Sequence, residues 1–307
     1  MRSRRHSRGA SANPKPGQSG APDSSAADDA KPPVDSRAYA FAYLIKEPSQ
    51  VPADFPVEPD FELALFLPKE SVPRFEVPRY VPRLALLFPD RLTVYSHPSS
   101  GLDKIKLPFT DISYLELERF MADCCLTLFT SQATLALPFH GRDEEHIGDF
   151  LLPVQQHLLT ISTASLDCNP RAFGPEPGYK FAQIEATLQV NPEKVVTRFY
   201  VPPREMKKAR LFGQDSSWTF GSEIVVTRNE LYVFSDEKDG YRQPYGFRAA
   251  WVPLANLVDI DLSAAQQSIA IRLRGDFSLN VPVPVEQLGE AADFVSFIRE
   301  QIRRFHR

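Results

Sequence analysis

Apolar and polar residues alternate in short segments along most of the chain, and this alternation predicts β-strands. Leu92 and Val94 alternate with polar residues, as do Ile269, Ile271 and Leu273. A period of two is typical of a strand with one buried face. Turn-forming pairs separate such segments, at Pro89-Asp90, Arg228-Asn229 and Gly275-Asp276. We therefore expect consecutive strands to pair in an antiparallel way.

Apolar residues recur at intervals of three or four near the C-terminus, which is the period of a helix with one buried face. The residues on this face are Leu288, Ala291, Val295, Ile298, Ile302 and Phe305. An earlier segment has similar spacing, with Ile147, Phe150, Leu151, Val154 and Leu158 on one face. That segment contains Pro153, which lacks a backbone N–H, so we expect a kink there. We predict that both faces pack against the core.

Five sequence blocks occur twice in the same order, and they predict two copies of one folding unit. Three of these pairs are DRLTVYS from Asp90 and NELYVFS from Asn229, LPFTDISYLEL from Leu107 and VPLANLVDIDL from Val252, and ATLALPF from Ala133 and FSLNVPV from Phe277. Each block has the pattern of a strand, and each copy ends in one of the predicted helices. We expect each copy to enclose its own apolar core.

Changes in composition divide the chain into four predicted regions. Residues 1–37 contain no Phe, Tyr or Trp, so they cannot bury enough apolar surface to fold, and we predict a disordered tail. The two copies occupy residues 38–164 and 185–307. Residues 165–184 contain Pro and Gly and are predicted to be a linker. The hydrophobic content of 43% is enough to give each copy a core.

About seven short antiparallel strands followed by one amphipathic helix resemble the pleckstrin-homology-like (PH-like) fold, in particular its bacterial and GRAM-type relatives. The blocks at 90–96, 107–118 and 133–139 carry the resemblance, with the helix from Arg142 and their counterparts in the second copy. The resemblance implies a mainly β (α+β) protein with two tandem PH-like domains. Each domain is expected to be a β-sandwich or partly open barrel capped by its C-terminal helix. Members of that superfamily bind phosphoinositides, anionic membrane surfaces, peptides or other domains, which implies a binding role here.

Charge and cysteine content argue against several classes of protein. The formal net charge of −4 gives no general field that would attract nucleic acid. Three cysteines without C-x-x-C spacing fit neither a disulfide framework nor a zinc site, and they favour a reducing compartment. No apolar run reaches the roughly 18 to 20 residues of a membrane-spanning helix. We therefore predict a cytoplasmic protein, with peripheral association at the inner face of the membrane as the alternative.

The chain lacks the common catalytic motifs. It contains no G-x-x-x-x-G-K-[ST] or G-x-G-x-x-G phosphate loop, no G-x-S-x-G nucleophile and no H-E-x-x-H zinc site. Acidic residues 143–145 begin a predicted helix, where they complement the helix dipole. His140 and His146 flank them without a third ligand, so we predict no metal site. We expect a non-enzymatic protein without a cofactor, and an enzyme with an unrecognised site is the remaining alternative.

A basic segment follows the first predicted strand of the second copy. Its sequence PPREMKKAR predicts a loop with four cationic candidates for contact with an anionic ligand or lipid, Arg204, Lys207, Lys208 and Arg210. Lipid-binding members of the PH-like superfamily place basic residues in the corresponding loop. A solvated loop balanced by neighbouring acidic residues is the alternative.

The enlarged loop of the second copy, DEKDGYRQPYGFRAAW, contains residue types that are enriched at protein interfaces. We predict that five of its residues contact a partner, namely Tyr241, Arg242, Tyr245, Phe247 and Arg248. Core packing of the aromatic residues is the alternative, and we expect Trp251 to face the core.

These patterns favour an adaptor or scaffold whose ligand is a protein partner. The alternative is a peripheral membrane protein that binds anionic lipid through the tail and the basic segment. Neither hypothesis involves nucleic acid, and both leave the oligomeric state open.

Overall fold

Alternating apolar residues and short turns fold the chain mainly into antiparallel β-strands, as predicted. The structure is a computed structural model that describes residues 41–69, 81–97, 101–120, 122–161, 164–166, 168–210, 213–219, 221–237 and 246–305. It describes side chains in these ranges except at 204–210, 213–219, 237 and 305. The predicted tail, residues 1–37, lies outside them.

The first half of the described chain contains eight strands and one helix. The strands are β1 (Tyr43–Ile45), β2 (Leu63–Leu67), β3 (Arg83–Leu87), β4 (Arg91–Ser96), β5 (Asp103–Pro108), β6 (Ile112–Phe120), β7 (Asp123–Thr130) and β8 (Thr134–His140). The helix α1 spans Glu144–Ile161. Strands β1 to β5 pair in chain order as a five-stranded antiparallel sheet, and β6, β7 and β8 pair in the same way.

The second half contains ten strands and two helices among the described residues. The strands are β9 (Arg171–Phe173), β10 (Val195–Val201), β11 (Arg204–Arg210), β12 (Gly213–Thr219), β13 (Ser222–Thr227), β14 (Glu230–Glu237), β15 (Gly246–Pro253), β16 (Leu257–Ser263), β17 (Ser268–Leu273) and β18 (Phe277–Pro282). The helices are α2 (Tyr179–Thr187) and α3 (Leu288–Phe305).

The second half follows the order of the first after its initial strand. Strand β10 pairs with β13, which is followed by β14 and β15, while β16, β17 and β18 form a three-stranded sheet before α3. Strands β11 and β12 pair with each other and, among the described residues, with no other strand. Strand β9 is parallel to β10, unlike the antiparallel pairs elsewhere.

The predicted turn at Gly275-Asp276 and the predicted apolar face of α1 are confirmed. Leu273 pairs with Phe277 across a turn in which Gly275 and Asp276 have φ values of 82° and 63°. Such left-handed φ values favour Gly and Asp. All five residues of the apolar face predicted for α1 are buried, and the helix continues past Pro153 to Ile161.

Strand β6 of the first half pairs with strand β15 of the second half, which joins them into one eight-stranded sheet of order β8-β7-β6-β15-β14-β13-β10-β9. The register runs from Phe120 opposite Gly246 to Leu115 opposite Trp251. A Cβ at position 246 would overlap the ring of Phe120, so this close approach requires glycine. The pairing lies between strands far apart in sequence and was not predicted.

This pairing corrects the prediction that each half encloses its own core. Leu117 of β6 and Trp251 of β15 belong to one apolar cluster, which also contains buried residues of α1 and α2. A second cluster lies mainly within the second half but includes Tyr114 of β6. The two faces of β6 therefore contribute to two different clusters, and the halves share apolar surface.

The composition of the edge strands explains why β15 forms this pair and β5 does not. Counting back from Pro253 and Pro108, Trp251 and Ala249 of β15 correspond to Lys106 and Lys104 of β5. The residues on β15 are buried in the shared cluster, whereas both lysines are exposed. Lysine on an edge strand disfavours further strand pairing.

The predicted linker, residues 165–184, contains β9 and the beginning of α2. Phe181 and Ile184 of α2 are buried, and the ring of Phe181 lies 5.4 Å from that of Tyr200 in β10. Helix α2 covers the face of β10, β13 and β14 that is turned away from the second cluster, whereas β9 extends the sheet beside β10. Residues 45–61 cover the matching face in the first half, where Phe55 and Phe61 pack against β2 and β3. The proposed domain boundaries stay a prediction.

Among the described residues, the helices lack the combination of length and apolar character needed to cross a membrane.

Replacing Ala249 with lysine, the residue type at the matching position of β5, should destabilise the junction because it places a charge in the apolar cluster. We expect the free energy of unfolding to fall by about 3 kcal/mol, as measured by urea denaturation. Lys104→Ala is the control and should change it by less than about 1 kcal/mol, since Lys104 forms an ion pair near the surface. Equal losses in the two variants would contradict this explanation.

Candidate binding site

The basic residues predicted to form a loop lie instead on strand β11. This strand and β12 form a two-stranded ribbon, here called the basic ribbon (residues 204–210 and 213–219), with Arg204 opposite Thr219 and Arg210 opposite Gly213. The structure brings all four cations together on one strand.

The end of the basic ribbon that joins the sheet lies next to α2. This end, here called the root of the ribbon, is flanked by Pro203 and Gly221. A Cβ at Gly221, just after the ribbon, would lie 3.0 Å from the ring of Phe181 and 3.1 Å from Pro203. The backbone N–H of Asp236 donates to the Gly221 carbonyl at 2.9 Å. Strand β14, helix α2 and the root of the ribbon therefore meet at Gly221.

The second set of candidates falls into two groups. Tyr241, Arg242 and Tyr245 lie outside the described residues. Phe247 and Arg248 lie on β15, where Phe247 is 7% exposed within the shared cluster. Arg248 forms an ion pair with Glu118 and approaches Glu116 at 3.7 Å, both on β6. Phe247 and Arg248 therefore contribute to the junction between the halves.

Trp251 faces the core, as predicted, and its indole is hydrogen-bonded. Its Nε1 donates to Glu230 Oε1 at 2.9 Å, and the Tyr232 hydroxyl donates to the same oxygen at 3.1 Å. A buried tryptophan needs such a partner for its N–H. Burial, followed by the charge of Glu230, raises the pKa of Tyr232, so its hydroxyl stays protonated and remains a donor.

A group of ionisable side chains beneath α2 was missed by sequence reasoning. Glu223 of β13 is 0% exposed. Arg198 Nη1 lies 3.4 Å from Glu185 Oε1 and 3.8 Å from Glu223 Oε1. Burial, followed by the negative charge of Glu185, raises the pKa of Glu223 to about 8, while Arg198 lowers it. The available sequence signal was a glutamate next to the apolar run 224–226.

Lys180 attaches the beginning of α2 to the same sheet. It forms an ion pair with Asp236 of β14, and its Nζ donates to the Gly246 carbonyl at 3.1 Å. Gly246 is the first residue of β15, so this contact links α2 to the strand at the junction. Charged contacts therefore hold α2 at both of its ends.

A small cavity lies between α1 and the residues that follow α2. Its volume is about 30 Å³, which is room for no more than about two water molecules. The lining is mainly apolar and includes Leu117, Ile147, Leu151, Leu152 and Leu188, together with Glu144. Its size does not suit an organic ligand.

The acidic residues predicted to begin a helix lie at the start of α1, with Asp143 in the 3-10 turn just before it. Glu144 and Glu145 lie in the first turn, and Glu144 pairs with Arg119 at 2.6 Å. His140 Nδ1 accepts a hydrogen bond from the Arg142 backbone at 3.2 Å. Within the part of the chain that the structure describes, no three His, Cys, Asp or Glu side chains are placed to hold a metal ion.

The adjacent cysteines are both buried. Burial raises the pKa of Cys124 to about 12 and the pKa of Cys125 to about 11. Both thiols are therefore protonated at neutral pH, which makes them poor nucleophiles.

Comparison with known proteins identifies no family for this chain. No protein-family model matches the sequence, and no curated protein matches it significantly.

Phe247→Ala should lower the free energy of unfolding by about 3 kcal/mol or more, because it leaves a cavity in the shared cluster. Arg248→Ala should lower it less than Phe247→Ala does, since Arg248 itself is 43% exposed and its pair with Glu118 lies near the surface. Urea denaturation measures both. An unchanged stability in Phe247→Ala would mean that this side chain is available for a partner, as the sequence had suggested.

Proposed function

We propose that the chain is a non-enzymatic cytoplasmic adaptor built from two PH-like halves. The observation that carries the proposal is the order of elements, which is four strands, three strands and a helix in each half. The first half follows this order from β2 to β8 and α1. The second follows it through β10, β13 to β18 and α3, with the basic ribbon inserted after its first strand. This order resembles that of a PH-like domain, and the recurring sequence blocks support a duplication.

The junction suits a scaffold. Because β6 and β15 share one sheet, the surfaces of the two halves are presented in one relative orientation. A partner that contacts both halves would not have to overcome the entropy of ordering a flexible linker. This advantage supports an adaptor role for the tandem arrangement.

The basic ribbon is the proposed contact element. Its strands carry four cations against two acidic residues, Glu205 and Asp215. No strand outside the ribbon pairs with it among the described residues, so its backbone is not committed to a larger sheet. An excess of cations on such an element favours an acidic ligand.

An acidic protein surface is the ligand class that we favour. A basic group of this size binds membranes only weakly without a lipid anchor or a second signal. Anionic lipid is the second candidate, because the same four cations could contact phosphate headgroups.

Reversing three charges tests the role of the basic ribbon. Lys207→Glu/Lys208→Glu/Arg210→Glu should lose the proteins that the intact chain captures from native lysate, and wild-type capture should weaken with added salt because the contacts are electrostatic. Neither protein should sediment with vesicles of phosphatidylcholine and phosphatidylserine. The control is Lys46→Glu/Lys194→Glu/Arg274→Glu, which makes the same charge change at exposed positions elsewhere.

Equal capture by the ribbon variant and the control variant would overturn the ribbon assignment. Sedimentation of the wild type with phosphatidylserine vesicles, lost in the ribbon variant alone, would replace the protein partner with anionic lipid. Thermal unfolding of each variant checks that it is folded.

A further inference from the structure

We propose that α2 is a latch held in place by a proton shared between the carboxyl groups of Glu185 and Glu223. With this proton α2 stays docked at the root of the basic ribbon, and without it α2 is released. The effect of release on ligand binding rests on the proposed function, whereas the latch itself does not.

The burial of the two carboxyl groups around one guanidinium favours a proton between them. Both oxygens of Glu223 and Oε1 of Glu185 are buried, and none of these three atoms has a hydrogen-bond donor among the described residues. Two ionised carboxylates can only accept hydrogen bonds, so neither can satisfy the other. A protonated oxygen of Glu223 can donate a hydrogen bond to Glu185 Oε1, which removes the repulsion between two negative charges and gives Glu185 a donor.

The surrounding charges cannot replace this proton. Arg198 of β10 is the cation that faces both glutamates, and one guanidinium neutralises only one of the two. Lys180 of α2 forms an ion pair with Asp236 of β14. Burial, followed by the charges of Asp236 and Glu223, raises the pKa of Tyr200, so this neighbour on β10 is neutral. Full ionisation would therefore leave one negative charge uncompensated beneath α2.

Release of α2 is expected to be local. The helix has nine residues, fewer than the ~12 to 15 that an isolated helix needs to be even marginally stable in water, so its conformation depends on docking. Its docked face consists of Phe181 and Ile184, which lie against the sheet. Since Phe181 also lies next to Gly221, just after the ribbon, release would free the root of the ribbon.

The segment that covers the outer face of the sheet in the first half, residues 45–61, provides an internal comparison. There, residues 45–61 lie on an apolar face, and Glu58 interacts with the Tyr95 hydroxyl and the Lys104 ammonium. Those two donors satisfy the Glu58 carboxylate when it is ionised, and they lower its pKa against the effect of burial. The first segment therefore places one carboxylate against two donors, whereas α2 brings two carboxyl groups to one guanidinium.

The direction of the pH dependence follows from the raised pKa of Glu223. In the docked state Glu223 keeps its proton up to about pH 8, whereas a solvated glutamate loses it near 4.5. Between these values the docked state binds one more proton than the released state. Docking is therefore strongest at low pH, and it weakens as pH rises through this window.

Amide hydrogen exchange of the full chain tests the latch without any ligand. After correction for intrinsic exchange rates, the protection of α2 amides should fall by up to about tenfold per pH unit between about pH 6 and 8. Protection of β14 amides should change less over the same range. A pH-independent protection of α2 in the wild type would overturn the proposal.

Two variants make the test specific. In Glu223→Gln the side-chain amide can donate to Glu185 at any pH, so α2 protection should become independent of pH. Glu185→Gln should also flatten the profile, and it serves if Glu223→Gln does not fold. Glu58→Gln is the matched control and should keep the wild-type slope. A wild-type slope in both Glu223→Gln and Glu185→Gln would contradict the shared proton.

The consequence for binding is measured separately. If the basic ribbon contacts the ligand, capture of its partner proteins should change with pH in the wild type and not in Glu223→Gln. If the ribbon binds nothing, the exchange profile of α2 still decides whether the latch exists.

Discussion

The hydrogen bonds between β6 and β15 are the constraint on which the arrangement of the two halves depends. They place one face of the shared sheet against α1 and α2 and the other face against the core of the second half. The pairing depends in turn on Ala249 and Trp251, which occupy positions where β5 has lysines. Lysine at these positions of β5 disfavours the strand pairing that apolar residues permit on β15.

Most individual elements were predictable because they depend on local sequence. Alternation at Leu92 and Val94 and the Gly275-Asp276 turn involve neighbouring residues, and so does the apolar face of α1. The junction depends on strands more than a hundred residues apart, and no local pattern specifies which edge of a sheet will be extended. The segment 165–184 was interpreted as a linker for a related reason. Its Pro and Gly content hid the few apolar residues, such as Phe181, that dock it on the sheet.

The candidate site was predictable in composition and not in geometry. The four cations of β11 stand out in the sequence, but their placement on a strand depends on the partner strand β12. Phe247 has the residue type of a binding hot spot, and it is buried because β6 lies beside it. Glu223 acquires its unusual chemistry from Glu185, which is remote in sequence and reaches it only through the docking of α2.

The most direct test of this account is whether the two halves unfold together. Differential scanning calorimetry of the full chain compares the calorimetric enthalpy with the van't Hoff enthalpy, and their ratio gives the number of cooperative units. A continuous sheet and a shared apolar cluster predict a single transition with a ratio of about one. Two resolved transitions, or a ratio of about two, would show that the halves fold independently and would contradict the account.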